Sequence, residues 1–120
     1  MTALTATQLA VPQALTASVN GAAADVRDLT GVVKFILNSS IPASGQTSDV
    51  KIQGSANGSS GWADTGLVFP QLTNASTSGF LTIDANVDEL PRYLRAVNTI
   101  AGAGTVTFSA VVVGKAGVNR

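Results

Sequence analysis

The chain contains no cysteine and no histidine among its 120 residues. Without cysteine it has no disulfide framework and no thiolate ligand for a metal ion. Without histidine it lacks the commonest general base and the commonest ligand for transition metals. These two absences disfavour redox, zinc and histidine-based catalytic chemistry.

Charge is also scarce, since 12% of the residues are charged and the seven basic residues balance the seven acidic ones. Binding to nucleic acid needs a basic excess on at least one face, and attraction to an anionic membrane needs a basic cluster. We therefore expect neither nucleic acid nor a membrane as a partner.

Long apolar segments are missing as well. No run approaches the roughly 20 apolar residues of a membrane-spanning helix. Residues 1–7 show neither the basic nor the apolar region of a secretory signal. We expect a protein that is made in a cytoplasm and stays soluble until it is assembled.

What the sequence does contain is hydroxyl side chains and short β-strand patterns. Serine and threonine together supply 24 of the 120 residues. The segment 49–53 alternates clearly, with Val50 and Ile52 predicted to point inward. The segment 32–38 is the most apolar, and its β-branched content predicts a strand that is largely buried on both faces. Turn residues separate seven predicted strands, at 24–29, 32–38, 49–54, 67–69, 79–84, 92–98 and 105–113.

Seven short strands with a turn about every ten residues are typical of a β-sandwich or barrel. We predict a single all-β domain over residues 19–120. Residues 1–18 show no sustained period and contain Pro12, so they are predicted to form an extended N-terminal arm that is disordered or ordered by a neighbour. Its apolar residues are candidates for partner binding: Leu4, Leu9, Val11 and Leu15.

One segment resembles the opening of a calcium-binding loop. Asp84, Asn86 and Asp88 have the required spacing, but the sixth and twelfth positions hold Glu89 and Arg95 instead of glycine and glutamate. The more economical interpretation is a polar turn before a strand. We expect no metal site and no cofactor.

A glycoside hydrolase would need two carboxylates placed together in a cleft. Nothing in the sequence brings a pair together, so we predict no catalytic residues and no enzyme activity. The acidic residues considered are Asp25, Asp28, Asp49, Asp64, Asp84, Asp88 and Glu89.

The strand around Tyr93 carries two arginines, Arg92 and Arg95. Arginine is favoured at protein interfaces, where it pairs with carboxylates, so both are candidates for partner binding. The alternative is that they form local pairs with Asp88 or Glu89. The single tryptophan, Trp62, follows a glycine-rich turn. We predict that it anchors the core, and the alternative is an exposed anchor at an interface.

The runs 51–55, 61–62, 79–80, 90–95 and 105–114 together resemble the small capsid cement proteins of tailed bacteriophages, in particular those of Bordetella-type phages. The resemblance covers about residues 49–115, and its most specific part is the Arg-Tyr-Leu-Arg strand at 92–95.

This resemblance implies a jelly-roll-like or Greek-key β-sandwich without enzyme activity. It implies a structural virion protein that binds the outer surface of a phage head between subunits of the major capsid protein and stabilises the shell. It also implies self-association, as a homodimer or homotrimer. The alternative is a carbohydrate-binding or receptor-binding β-sandwich module of a virion surface, which would need an exposed aromatic pair or a calcium site.

Overall fold

The computed structural model describes residues 4–116 of the chain. They form nine β-strands and one short 3-10 turn, and no helix among them is long and apolar enough to cross a bilayer. The strands are β1 Leu4–Leu15, β2 Val19–Asn20, β3 Ala24–Asp25, β4 Leu29–Ser39, β5 Thr47–Ser55, β6 Ala63–Val68, β7 Phe80–Asn86, β8 Tyr93–Ala101 and β9 Val106–Ala116, with the 3-10 turn at Val87–Glu89 between β7 and β8.

The strands form two antiparallel sheets. The first sheet has the order β1-β9-β4-β7, and the second has the order β2-β8-β5-β6, with β3 also pairing with β8. The strands pair as in a long folded hairpin: β1 with β9, β2 and β3 with β8, β4 with β7, and β5 with β6. Rolling such a hairpin into two facing sheets gives a jelly roll. The predicted all-β sandwich is therefore confirmed.

The core lies between the two sheets. Phe35 and Phe108 from the first sheet, and Ile52 and Leu94 from the second, are almost completely buried in one cluster. The alternation predicted for the segment 49–53 is correct, since Val50 and Ile52 point inward while the residues between them face outward.

The segment predicted as an arm over residues 1–18 contributes a strand to the first sheet. Residues 4–15 form β1, which pairs with β9 along its length. The two-residue period is lost because the register shifts between Gln8 and Ala10 and again between Ala10 and Gln13, which places Leu9 and Ala10 together in the core. A boundary between an arm and a domain at residue 18 stays a prediction.

The prediction that the strand over residues 32–38 is buried on both faces is wrong. Val33, Phe35 and Leu37 are buried, but Val32 is 70% exposed and Lys34 is also exposed. The reason is that a jelly roll has two layers, so only one face of each sheet meets the other sheet. The apolar residues on the other face of β4 are left on the outside of the molecule.

Candidate partner-binding surfaces

In the segment that resembles a calcium loop, the three side chains bind other groups of this chain. Asp84 pairs with Lys34, the Asn86 side chain accepts a hydrogen bond from the backbone of Asp88, and Asp88 accepts one from the backbone of Gly31. Within residues 4–116, no three acidic side chains lie close enough together to hold a metal ion. These oxygens stabilise the end of β7 and its contact with β4.

The outer face of the first sheet is rich in aliphatic side chains. Cross-strand pairing aligns Ile36 with Val111, and Val113 lies next to them on β9. At one end of this face Leu4 and Val32 are 73% and 70% exposed. We call the surface formed by Leu4, Val32, Ile36, Val111 and Val113 the apolar face.

One ion pair crosses the apolar face. The Nζ of Lys34 lies 2.8 Å from a carboxylate oxygen of Asp84 on the neighbouring strand. Both side chains are about half exposed, so the pair contributes little to the stability of the fold. The two charges compensate each other in the middle of the surface, while exposed Lys115 lies opposite Leu4 at its end.

A glycine-containing turn positions Trp62 on the second sheet. The Oδ1 of Asn57 accepts hydrogen bonds from the backbone N–H groups of Ser59 and Ser60, each at 2.9 Å. Gly58 has a φ of +78° and lies directly against the ring of Tyr93. The turn ends before Trp62, which is half-buried on the outer face and does not belong to the core. The prediction that Trp62 anchors the core is therefore wrong.

Trp62 stacks on an arginine from the middle of the second sheet. The guanidinium carbon of Arg95 lies 4.4 Å from the centroid of the Trp62 ring. The Nε and Nη2 of Arg95 donate hydrogen bonds of 3.0 and 2.8 Å to the Oε1 of Gln53, its cross-strand neighbour. Gln53 in turn donates from Nε2 to Asp64 at 3.0 Å, and Lys51 pairs with the same carboxylate at 3.0 Å.

We call these five residues, Trp62, Arg95, Gln53, Asp64 and Lys51, the arginine–tryptophan cluster. The hydrogen bond from Gln53, together with that from Lys51, lowers the pKa of Asp64 below its ordinary value. The carboxylate is therefore ionised at neutral pH and fixes the orientation of the Gln53 amide. The cluster spans β5, β6 and β8. It gives the second sheet a polar outer face, whereas the outer face of the first sheet is rich in aliphatic side chains.

The two arginines do not form the pairs considered from the sequence. Arg92 binds Asp25, not Asp88 or Glu89, with its Nη2 2.8 Å from the carboxylate, and its guanidinium carbon lies 4.9 Å from the ring centroid of Tyr93. The hydrogen bond from Arg92 holds the pKa of Asp25 below its usual value, and the same contact raises the pKa of Arg92. No carboxylate of residues 4–116 pairs with Arg95.

The four apolar candidates of the N-terminal segment have different environments. Leu4 lies on the apolar face, and Val11 is 58% exposed further along β1. Leu9 is 2% exposed in the core, and Leu15 is half-buried against the core. In this structure Leu4 and Val11 are accessible to a partner, whereas Leu9 and Leu15 stabilise the sandwich itself.

Comparisons with known proteins show which solved structures have a similar fold. No protein family matches the chain, and no curated protein matches it in sequence. The chain is similar to the structure of the SPBc2 prophage-derived protein YomS, with a TM-score of 0.56 and 12% identity over 95% of this chain and 96% of that one.

The chain is also similar to two structures from infectious bursal disease virus. It matches the VP2 subviral particle with a TM-score of 0.50 and 10% identity over 93% of this chain and 32% of that one. It matches a chain of the Gx strain with a TM-score of 0.51 and 11% identity over 98% of this chain and 33% of that one. It thus spans about a third of both viral chains. At such low identities the likeness concerns the fold.

Proposed function

We propose that this chain is a structural protein of a virus particle, namely a cement or decoration protein of a tailed-phage head. It binds the outer surface of the head between subunits of the major capsid protein and stabilises the shell without enzyme activity. Its location is the outer capsid surface, after assembly in the host cytoplasm.

The observation that carries the proposal is the apolar face. The two layers of the jelly roll leave one side of β4 and β9 uncovered, although it holds Ile36, Val111 and Val113 with Leu4 and Val32 at one end. A contiguous apolar surface on a soluble domain marks a place where another protein binds. The likeness in fold to a prophage-derived protein and to viral capsid chains supports a capsid as that partner.

The dimensions of the apolar face fit such a contact. Four strands about 4.8 Å apart, with central strands of 11 residues rising about 3.3 Å each, give the whole outer side of the first sheet an area of several hundred Å², and the apolar face is a part of it. A stable protein interface buries about 800 Å² on each partner. The outer side of the first sheet, with the apolar face within it, thus has about the area that one partner contributes to a standard interface. Repetition over the shell lets a modest affinity at each site suffice.

The test is sedimentation of the purified protein with heads of the virus that carries the chain. We expect wild-type protein to sediment with heads at a simple ratio to the capsid protein. Val32→Asp places a charge on the apolar face and is expected to weaken binding at least tenfold. Ile41→Asp, which alters an exposed aliphatic residue in the β4–β5 loop, serves as the matched control.

Equal binding by the Val32→Asp and Ile41→Asp variants would exclude the apolar face as the contact with the head. Failure of the wild-type protein to sediment with heads would refute the cement function as a whole.

We propose in addition that copies of the chain associate as a homodimer or homotrimer. A near-neutral chain has little electrostatic repulsion to prevent this. Light scattering on the purified protein measures the mass directly, and a monomer at all concentrations would contradict this part of the proposal.

A second candidate function is a carbohydrate-binding or receptor-binding module of a virion surface. The observation that favours it is that Trp62 and Tyr93 are both half-buried on the outer face of the second sheet, near Arg95. Aromatic rings that remain partly exposed can stack on sugars. Binding in a glycan array, with no sedimentation on heads, would favour this function over the cement function.

A further inference from the structure

We infer that Arg95 is the anchor for a carboxylate side chain of a partner protein, and that the outer face of the second sheet is therefore a second docking surface. This inference rests on the proposed function, because the partner it names is an aspartate or glutamate of a capsid protein. It assigns a role to the arginine–tryptophan cluster, which lies on the side of the sandwich opposite the apolar face.

The first step of the argument is the contrast among the cations. Lys34, Lys51 and Arg92 each have a carboxylate of this chain within 3.0 Å. Lys115 has no carboxylate partner among residues 4–116, but it lies on the first sheet, where it is exposed and has no aromatic neighbour that holds it. Arg95 has a neutral acceptor, the side-chain oxygen of Gln53, and no carboxylate of residues 4–116. Arg95 is half-buried on the surface and has no carboxylate partner in that part of the chain. An acidic group of a partner can therefore neutralise its charge.

The second step is that Arg95 is held in one orientation. Gln53 uses its Nε2 to bind Asp64, so its Oε1 necessarily faces the guanidinium. Two of the five guanidinium N–H donors bind this oxygen. The remaining three have no hydrogen-bond partner in the part of the chain that the structure describes. A carboxylate needs two such donors for a bidentate contact.

The third step is the aromatic surround. Trp62 covers one side of the guanidinium at 4.4 Å, which displaces water from it and strengthens a later ion pair. Tyr93 lies on the same face of β8, because it precedes Arg95 by two residues. Arginine, tryptophan and tyrosine are the residue types most enriched among those that dominate binding energy at protein interfaces.

The fourth step selects a single carboxylate over a polyanion. Asp64 lies next to Gln53, and Asp25 lies against Arg92 near Tyr93. These ionised carboxylates disfavour phosphate groups and nucleic acid, which need several uncompensated cations. A monovalent acidic side chain matches the single positive charge of Arg95, which has no carboxylate partner among the described residues of this face.

The experiment measures binding of the full chain to the same heads at several salt concentrations. Arg95→Gln is expected to weaken binding at least tenfold and to reduce its salt dependence. Arg95→Lys keeps the charge but loses the planar fork, so it is also expected to bind several-fold more weakly than wild type. Arg27→Gln is the matched control, because it removes one positive charge from the β3–β4 connection, outside both the arginine–tryptophan cluster and the apolar face. We expect less than a threefold loss of binding.

Trp62 provides an independent readout, because it is the only tryptophan of the chain. We expect its fluorescence to change when wild-type protein binds heads and to change less in the Arg95→Gln variant. Circular dichroism shows whether each variant retains the fold.

The outcomes separate the two hypotheses. If wild-type protein binds heads and folded Arg95→Gln binds equally well, this inference is overturned and the cement function stands. If wild-type protein does not bind heads, both fall. A third outcome is that Arg95→Gln binds heads as well as wild type, while 3′-sialyllactose, an acidic sugar, quenches the fluorescence of Trp62 in wild type and not in Arg95→Gln. In that case the carboxylate that binds Arg95 belongs to a glycan, and the inferred protein partner is wrong.

Discussion

Arg95 and Trp62 lie in contact on the outside of the sandwich, with the guanidinium carbon 4.4 Å from the centroid of the indole ring. They are 33 positions apart in the sequence, and the pairing of β5 with β8 brings them together by placing Gln53 opposite Arg95. The pair therefore depends on the complete second sheet. Because both side chains are half-buried on the outer face and lie outside the core, we expect their replacement to affect the proposed binding more than folding.

The first prediction compares two aromatic residues. Trp62→Ala removes the cation–π contact of a half-buried ring with Arg95 and is expected to lower the free energy of unfolding by about 1 kcal/mol. Phe108→Ala empties a site in the core, and its expected cost is about 3–5 kcal/mol. Chemical denaturation of both variants measures the difference. Similar losses for the two would place Trp62 in the core, against the structure.

The second prediction concerns β1. Leu9 is 2% exposed between the sheets, so Leu9→Ala is expected to cost about 2–5 kcal/mol of unfolding free energy. Leu4→Ala on the same strand is the control and is expected to change stability by less than about 0.5 kcal/mol, because Leu4 is 73% exposed. If Leu9→Ala were as stable as wild type, β1 would not be an integral strand in solution.

The sequence predicts those parts of the fold that have a local signal. The alternation around Val50 and Ile52 indicates which side of β5 faces the core, and the structure agrees. Turn residues such as Asn57 and Gly58 mark the end of that strand correctly.

The parts that the sequence does not predict depend on long-range pairing. In β1 the register shifts break the two-residue period, so the strand that holds Leu9 and Ala10 has no periodic signal. The arginine–tryptophan cluster could not be predicted for a similar reason. Which residue lies opposite Arg95 is set by the register between β5 and β8, and a single sequence does not reveal that register.

The third prediction concerns pH. Arg92 lowers the pKa of Asp25 in the folded state, so this contact stabilises the protein above the unfolded pKa of about 3.9 and is lost as the pH falls through the lower, folded value. Asp25→Asn is therefore expected to reduce stability slightly at pH 7, by less than about 1 kcal/mol because the pair is exposed. Thermal unfolding at pH 7 and pH 2.5 measures this, and the difference between variant and wild type should shrink at the lower pH. A difference that grew on acidification would contradict the assigned ion pair.

The fourth prediction concerns the turn that precedes Trp62. Gly58 has a φ of +78°, and a Cβ there would come within 2.9 Å of the Tyr93 ring. Gly58→Ala is expected to cost about 1–3 kcal/mol of unfolding free energy and to shift the fluorescence of Trp62. Ser59→Ala, in the same turn, is the control and should leave both nearly unchanged. An alanine at position 58 without effect would mean that the turn does not pack on Tyr93.

The measurement that tests the central claim most directly is a reconstruction by electron cryomicroscopy of heads with and without this chain. The proposed function predicts additional density of sandwich shape on the outer surface, between subunits of the major capsid protein, when the chain is present. If the two reconstructions are identical, or if the chain's density lies on a tail or receptor-binding structure, the cement function is contradicted.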